Sequence, residues 1–288
     1  WRWKTGQFTP FHCPHPRWDG SPIPGKTLLI HTEQGAGDAI QFARYLPLAA
    51  ERAGKLILVC TPDLSPLFAT LPGIAEIRGP GTFQLTEFDT HLPLLSLPYV
   101  FGSTLGTIPN RIPYIDVALL RRRKTVALPE YNQRPLRIGL VWAGSPTHQH
   151  DRNRSCPLME FLPLLRFPGI AFYSLQKGER SEDLRQLPLD CPVHDLEATG
   201  KDFGDTALWL DQLDLLISVD TSVAHLAGAL GTPVWLLLCR VPDWRWGLEG
   251  ETTPWYPGMR LFRQTRRGDW AGVMARVMPE LVAWRGGK

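Results

Sequence analysis

Short apolar runs alternate with amphipathic stretches along this chain, and polar, glycine-bearing turns separate them. Thr27–His31 (TLLIH) has strand length; TEQGAGD follows it, then an apolar-periodic helix from about Asp38 to Ala53, which Pro47 should kink by removing a backbone donor. Leu56–Cys60 reads as a second strand, Leu64–Leu71 as a short helix and Ala75–Ile77 as a third strand, whereas 80–110, rich in Pro, Gly and Thr, supports only weak strands. A polar, proline-marked stretch near Glu130–Pro135 has linker composition. The pattern then restarts with a strand at Leu136–Ala143, the polar loop GSPTHQHDRNRS, a helix over Leu158–Arg166 with Ser155 as N-cap, and a strand at Ile170–Leu175 ending at QKGE. A helix covers Leu208–Leu213, and Leu215–Val219 (LLISV) has the length and apolarity of a strand buried on both faces. Val223–Leu230 reads as a small-residue helix closed by Gly231, with Pro233 two residues on, before a strand at Val234–Leu238. Trp270–Trp284 is the last predicted helix.

Strands alternating with helices through both halves predict an α/β protein built from two parallel-sheet domains. The expected division is a first domain over 1–133, a second over 134–267, and a terminal helical segment, 268–288, packing back on the first domain. At 288 residues the chain can bury two cores, and its 43% hydrophobic and 20% charged content is that of a globular protein. No apolar run approaches the ~20 residues of a membrane span, and no signal segment opens the chain, so the expected compartment is the cytoplasm. Cys13, Cys60, Cys156, Cys191 and Cys239 lack CxxC spacing, so they are expected as reduced thiols. A net charge of +3, with its densest basic run at Arg121–Lys124, does not argue for nucleic acid. The chain opens on Trp1 rather than Met, which reads as a piece of something longer.

Candidate chemistry lies in the turns that follow strands. Gly35, Ala36, Gly37 and Asp38 form a glycine turn between the first strand and first helix, with amides free to face an anion or a sugar. It is not a dinucleotide fingerprint, because the third glycine of GxGxxG falls at Ile40. Asp38 is either a carboxylate that complements the helix dipole or a general base. Arg152 and Arg154, ahead of the predicted helix, are solvated loop cations or forks for phosphate oxygens. His148, His150 and Asp151 form an HxHD string without further ligands, which is a weak metal signal. Lys177 and Glu179 follow the strand ending at Leu175; the lysine suits a diphosphate and the glutamate ribose hydroxyls, or both are surface charges. Asp220, Thr221, Ser222 and His225 put carboxylate, hydroxyls and imidazole around one helix start, at the carboxyl end of an interior strand where open α/β sheets bind ligands. Trp244, Trp246, Trp255 and Tyr256 either stack on a sugar or base or plug a groove between domains.

The segments HTEQGAGDAIQFARYLPL, GLVWAGSPTHQHDRNRS, SLQKG, DLLISVDTSVAHLAGALGTPVWLLL, PDWRW, TPWYP and MRLFRQ together resemble the heptosyltransferase-type glycosyltransferases, and more closely the glycosyltransferase domains that follow tetratricopeptide repeats in bacterial proteins. The likeness runs from His31 to Gln264, with DTSVAHLAGALG its most specific part; the opening WRWK resembles the junction after such repeats. It implies a GT-B architecture: two Rossmann-like domains facing across a cleft, the second binding a nucleotide sugar. It further implies Asp38 as the base, Arg154 and Lys177 on the diphosphate, and the Asp220–His225 segment as the donor phosphate and sugar loop, while the residues around Glu179 align ambiguously. With the candidates read from the turns themselves, the expected donor site is Gly35, Gly37, Arg152, Arg154, Gln176, Lys177, Glu179, Asp220, Thr221, Ser222 and His225. The family's Lys-Arg-Trp-Pro type string stands here as Arg154-Ser155-Cys156-Pro157, so donor specificity does not transfer. With no Asp-x-Asp motif, an inverting, metal-independent transfer without cofactor is expected, the partners being a nucleotide-sugar donor and a protein or saccharide acceptor. The competing readings are a non-catalytic nucleotide-sugar-binding or scaffold module and a nicotinamide-dependent oxidoreductase.

Overall fold

The computed structural model describes residues 11, 13–129 and 136–286; the opening WRWK and the expected linker near 130–135 lie outside them. In the first lobe β1 (Ile23–His31) leads through α1 (Ala36–Phe42) and α2 (Leu46–Ala50) to β2 (Ala53–Val59), then through α3 (Ser65–Phe68) to β3 (Glu76–Arg78) and on to β4 (Thr90–Pro93). Helices α4 (Leu97–Val100) and α5 (Val117–Arg121) complete it. The second lobe runs β5 (Leu136–Val141), α6 (Asp151–Arg154), α7 (Leu162–Leu165), β6 (Ile170–Ser174), β7 (Val193–Asp195), α8 (Phe203–Leu210), β8 (Leu215–Val219), α9 (Ser222–Leu230), β9 (Val234–Leu238), β10 (Met259–Arg263) and α10 (Trp270–Gly286). The described strands form two sheets with orders β3-β2-β1-β4 and β10-β9-β8-β5-β6-β7, and their pairings are parallel. This is the doubly wound α/β arrangement, complete in the second lobe and with four strands in the first.

Local sequence accounts for most elements. Every residue of β8 and β9 is buried, as continuous apolar runs in the middle of a parallel sheet must be. Gly231 takes a left-handed φ of 81° and ends α9, and the Thr232 amide turns back to the Ala227 carbonyl at 3.0 Å. Pro47 acts as expected: the first helix is broken by a 3-10 turn at Ala43–Tyr45 before α2 starts with Pro47 in its first turn. The helix expected over 158–166 differs. It is a 3-10 turn at Leu158–Phe161 followed by the four-residue α7, and Pro157, not Ser155, stands at its N-cap.

One buried cluster runs through both lobes, joining Leu28, Ile40 and Tyr45 to Val223, Leu226 and Tyr256. A second fills the other face of the larger sheet and contains Trp270, Val273, Met274, Val277 and Leu281 of α10 with Ile138, Phe161 and Phe262. The expectation that the terminal helix returns to the first domain is therefore corrected: its apolar face lies in the core of the second lobe, against β10 and α7. The lobes meet directly, α1 against α9 and α5 and α3 against α8, with the N-terminal ends of α1 and α9 side by side.

Candidate active site

In both sheets the order of connection reverses beside one strand, at β1/β4 in the first lobe and β5/β8 in the second. Parallel strands leave a crevice at such a point, outside their carboxyl ends. The predicted site residues leave the sheets there: the glycine turn after β1, the loop from Trp142 after β5, and Asp220–Thr221 after β8.

The turn after β1 is tightly built. Gln34 has a φ of 71°, the one positive φ on a non-glycine among the described residues, which turns the chain sharply between strand and helix. Gly35 is the N-cap of α1, and its amide donates to Asp38 Oδ2 at 3.2 Å. Gly37 faces α9. A Cβ on it would stand 3.0 Å from His225 Cδ2 and 3.3 Å from Ser222 Cα, so glycine permits the two helix starts to touch. Asp38 and the Asp220–His225 turn thus share one region.

Arg245 joins the lobes. It sits in the 3-10 turn Trp244–Trp246 beyond β9, with only 11% of its side chain exposed. Its Nη2 donates to Asp38 Oδ1 at 2.7 Å, its Nε to Asp243 Oδ1 at 2.8 Å, and its Nη1 lies 3.2 Å from His225 Nε2. Burial alone would weaken this cation, but Asp38, Asp243 and Asp220 outweigh it and hold the guanidinium pKa above its ordinary value. Since arginine only donates, His225 Nε2 is the acceptor, and Nδ1 carries the proton that goes to Tyr256 Oη at 2.9 Å. Desolvation, then Arg245 and Arg44, push the His225 pKa well below its usual value, so the ring is neutral and the 3.9 Å approach of Asp220 is not an ion pair. Trp246 stacks on the imidazole at 5.3 Å. Burial raises the Asp220 carboxyl, with Arg245 acting against it.

The other predicted residues divide. Arg154 lies in the last turn of α6, ahead of the 3-10 turn at Leu158–Phe161, and packs beneath Gly144. Its buried Nε has no hydrogen-bond partner, the nearest carboxylate being Asp151 at 3.6 Å, and its charge reaches Asp220. Ser155 pins that loop, donating to Asp151 at 2.7 Å and accepting from the Gly144 amide at 3.0 Å. Thr221 stands at the N-cap position of α9 without a side-chain capping bond, its hydroxyl 3.2 Å from that of Ser218. Gln176 is buried and fully used by backbone: it accepts from the Trp142 and Ala143 amides at 3.1 and 2.8 Å and donates to the carbonyls of Ala143 and Lys177. Lys177 is engaged by Glu197 at 2.6 Å and lies over the Phe203 ring. Glu179 and Arg152 are exposed. Among the described residues no three His, Cys, Asp or Glu side chains gather as a metal-holding set.

Sequence reasoning did not single out Arg245 or Arg44. Arg245 stood within PDWRW, where its only signal was a cation flanked by two tryptophans after an interior strand. Arg44 is buried between the lobes, donating to the carbonyls of Gln41, Pro109 and Trp255 at 2.9, 3.2 and 2.8 Å, with the rings of Tyr114, Trp255 and Tyr256 around it. The four aromatics of the late loop also divide: Trp246, Trp255 and Tyr256 are buried, plugging the groove, and Trp244 is 66% exposed.

No family model matches the chain. Protein FlbA of Caulobacter vibrioides is 28% identical over 310 aligned positions, which take in 98% of this chain and 52% of FlbA, so the chain spans about half the length of that curated relative. Among solved structures, the E. coli ADP-heptose lipopolysaccharide heptosyltransferase II has a TM-score of 0.61 at 13% identity, covering 89% of this chain and 98% of its own. E. coli heptosyltransferase WaaC, solved with ADP-2-deoxy-2-fluoro heptose, has a TM-score of 0.57 at 13% identity over 88% of this chain and 99% of its own. The chain therefore has the GT-B fold of the heptosyltransferase-type glycosyltransferases, two parallel α/β lobes with their sheet switch points turned toward each other.

Proposed function

We propose that this chain transfers a sugar from a nucleotide-sugar donor to an acceptor hydroxyl, with inversion and without a metal ion. The observation that carries the reading is the meeting of Asp38 from one lobe with the Asp220–His225 turn and Arg245 from the other. The diphosphate lies at the start of α9, where helix amides, Arg154 and Arg245 supply the positive field that a divalent ion supplies elsewhere. The acceptor oxygen attacks the anomeric carbon on the face opposite the diphosphate. The C–O bond to phosphate breaks with its electron pair going to the leaving group, and Asp38 takes the acceptor proton. Gln176 acts by clamping the Trp142–Ala143 backbone rather than by touching the donor. The acceptor is a protein or a saccharide, and nucleotide-sugar chemistry of this kind belongs in the cytoplasm.

The test is a thermal-shift panel of UDP, GDP, ADP, CMP and their sugars, followed by turnover of the donor that binds. Asp38→Asn is expected to keep donor binding and to lower transfer by about a hundredfold or more, and transfer is expected to persist in excess chelator. Binding without turnover by the unmodified chain would instead favour a nucleotide-sugar-binding module.

A further inference from the structure

Each carboxylate oxygen of Asp38 already accepts one hydrogen bond. Oδ2 accepts from the Gly35 amide and Oδ1 from Arg245, a cation that belongs to the opposite lobe. Oδ1, held by a guanidinium at 2.7 Å, faces that cation rather than an incoming hydroxyl. The same guanidinium lies beside the α9 N-terminus: Nη1 contacts His225 in the first turn of that helix, and Asp220 just before it feels both Arg245 and Arg154. Arg245 is rooted by Nε on Asp243, and its bonds to Asp243, His225 and Asp38 leave two of the fork's five N–H groups uncommitted among the described residues.

We propose that Arg245 couples the two substrates: the diphosphate of the donor and the carboxylate of Asp38 compete for its guanidinium. A diphosphate arriving at α9 draws the Nη groups toward its oxygens while Nε stays on Asp243, and the Arg245–Asp38 bond opens. Asp38 then becomes available as proton acceptor only when a leaving group is in place. Donor binds before the acceptor reacts, and loss of the nucleoside diphosphate product restores the pair. This inference rests on the transferase reading and adds to it a substrate order and the residue that enforces it.

Competition makes a prediction that neither a purely structural arginine nor a simple base shares. ADP, UDP and GDP are titrated calorimetrically into the unmodified chain, Asp38→Asn, Arg245→Gln, Arg245→Lys and the double variant, with melting curves as a check on folding. Arg245→Gln is expected to weaken the nucleoside diphosphate that binds by about tenfold or more, as loss of a charge-assisted bond should. Arg245→Lys keeps the charge without the fork and falls between the two. Asp38→Asn is expected to bind the same nucleotide more tightly than the unmodified chain, because the carboxylate no longer competes. That gain must vanish in the double variant, whose affinity should equal that of Arg245→Gln. Equal tightening by Asp38→Asn in both backgrounds marks a general charge effect and overturns the proposal, as does no tightening at all. If the unmodified chain binds a nucleoside diphosphate and transfers sugar while the two substitutions are additive, the coupling alone is wrong. If none of the three nucleotides binds, the coupling falls together with the diphosphate leaving group on which it rests.

Discussion

At the scale of single residues the site is a chain of directed hydrogen bonds, Asp38 to Arg245 to His225 to Tyr256, in which the histidine has a defined tautomer. Keeping that imidazole neutral has a measurable consequence. Its pKa in the folded protein lies well below that of the unfolded chain, near 6.5, so the unfolded state takes the proton first. Stability from this group is complete above about pH 6.5 and falls on acidification below it, at up to about 1.4 kcal/mol per pH unit. Asp220, raised by burial, takes up its proton in the folded state first and works in the opposite sense; Arg245, Arg44 and Tyr256 also face the ring. His225→Gln should therefore show a shallower loss of urea midpoint than the unmodified chain between pH 7.5 and 5.5, and identical slopes would remove the assignment. The carboxylate and imidazole were legible in the sequence, since both stand in the first turns of helices that follow predicted strands. Arg245 was not, because an arginine between tryptophans has the same local pattern whether it faces solvent or a carboxylate across a groove.

At the scale of elements, α9 does three things: it ends in a left-handed glycine, it holds His225, and it packs on α1 through small residues. Gly228 is where these conflict with ordinary helix propensity. Alanine there would gain about 1 kcal/mol of helix preference, but its Cβ would fall 2.5 Å from Cδ1 of Tyr256. Overpacking of that kind costs about 1–3 kcal/mol, so the clash should win. Gly228→Ala is expected to lower the urea midpoint and, on the proposed reading, to weaken transfer, since Tyr256 is the partner of His225; an unchanged or raised midpoint contradicts the packing described. Short helices that begin at prolines, as at Pro47 and Pro163, explain why the periodic pattern gave element positions more accurately than element types. Pro ends one turn and starts another, and hydrophobic spacing is blind to that break.

At the scale of the molecule, the lobes do not behave as two independent cores joined by a linker. One apolar cluster crosses between them, the Phe203 amide donates to the Asp63 carbonyl at 3.0 Å, and the Tyr114 amide to that of Ala229 at 3.1 Å. Arg44 is the most enclosed of these ties, and three backbone carbonyls depend on it. Arg44→Met keeps much of the bulk and removes the donors, leaving buried acceptors at a cost of about 1–3 kcal/mol each where water cannot enter. Differential scanning calorimetry should show a lower and broader transition, resolving toward two; a single unfolding transition at the unmodified temperature would mean that the lobes are held by other contacts. The terminal helix belongs to the same scale. The sequence predicted this helix and placed it on the first domain, but β10 and α7 of the second lobe receive it.

The sequence by itself determined the alternation of buried strands and short helices, the two polar turns at strand ends and the glycine that closes α9. Each of these is a local consequence of burial periodicity, dihedral freedom or a missing backbone donor. Tertiary structure alone decided which strand ends became neighbours and therefore which charges met. Asp38 and Arg245 are 207 residues apart along the chain, and nothing in the composition around either names the other. Their contact exists because two doubly wound sheets present their switch points to one another, and because Gly37 lets α1 approach α9 closely enough for a guanidinium to span the gap.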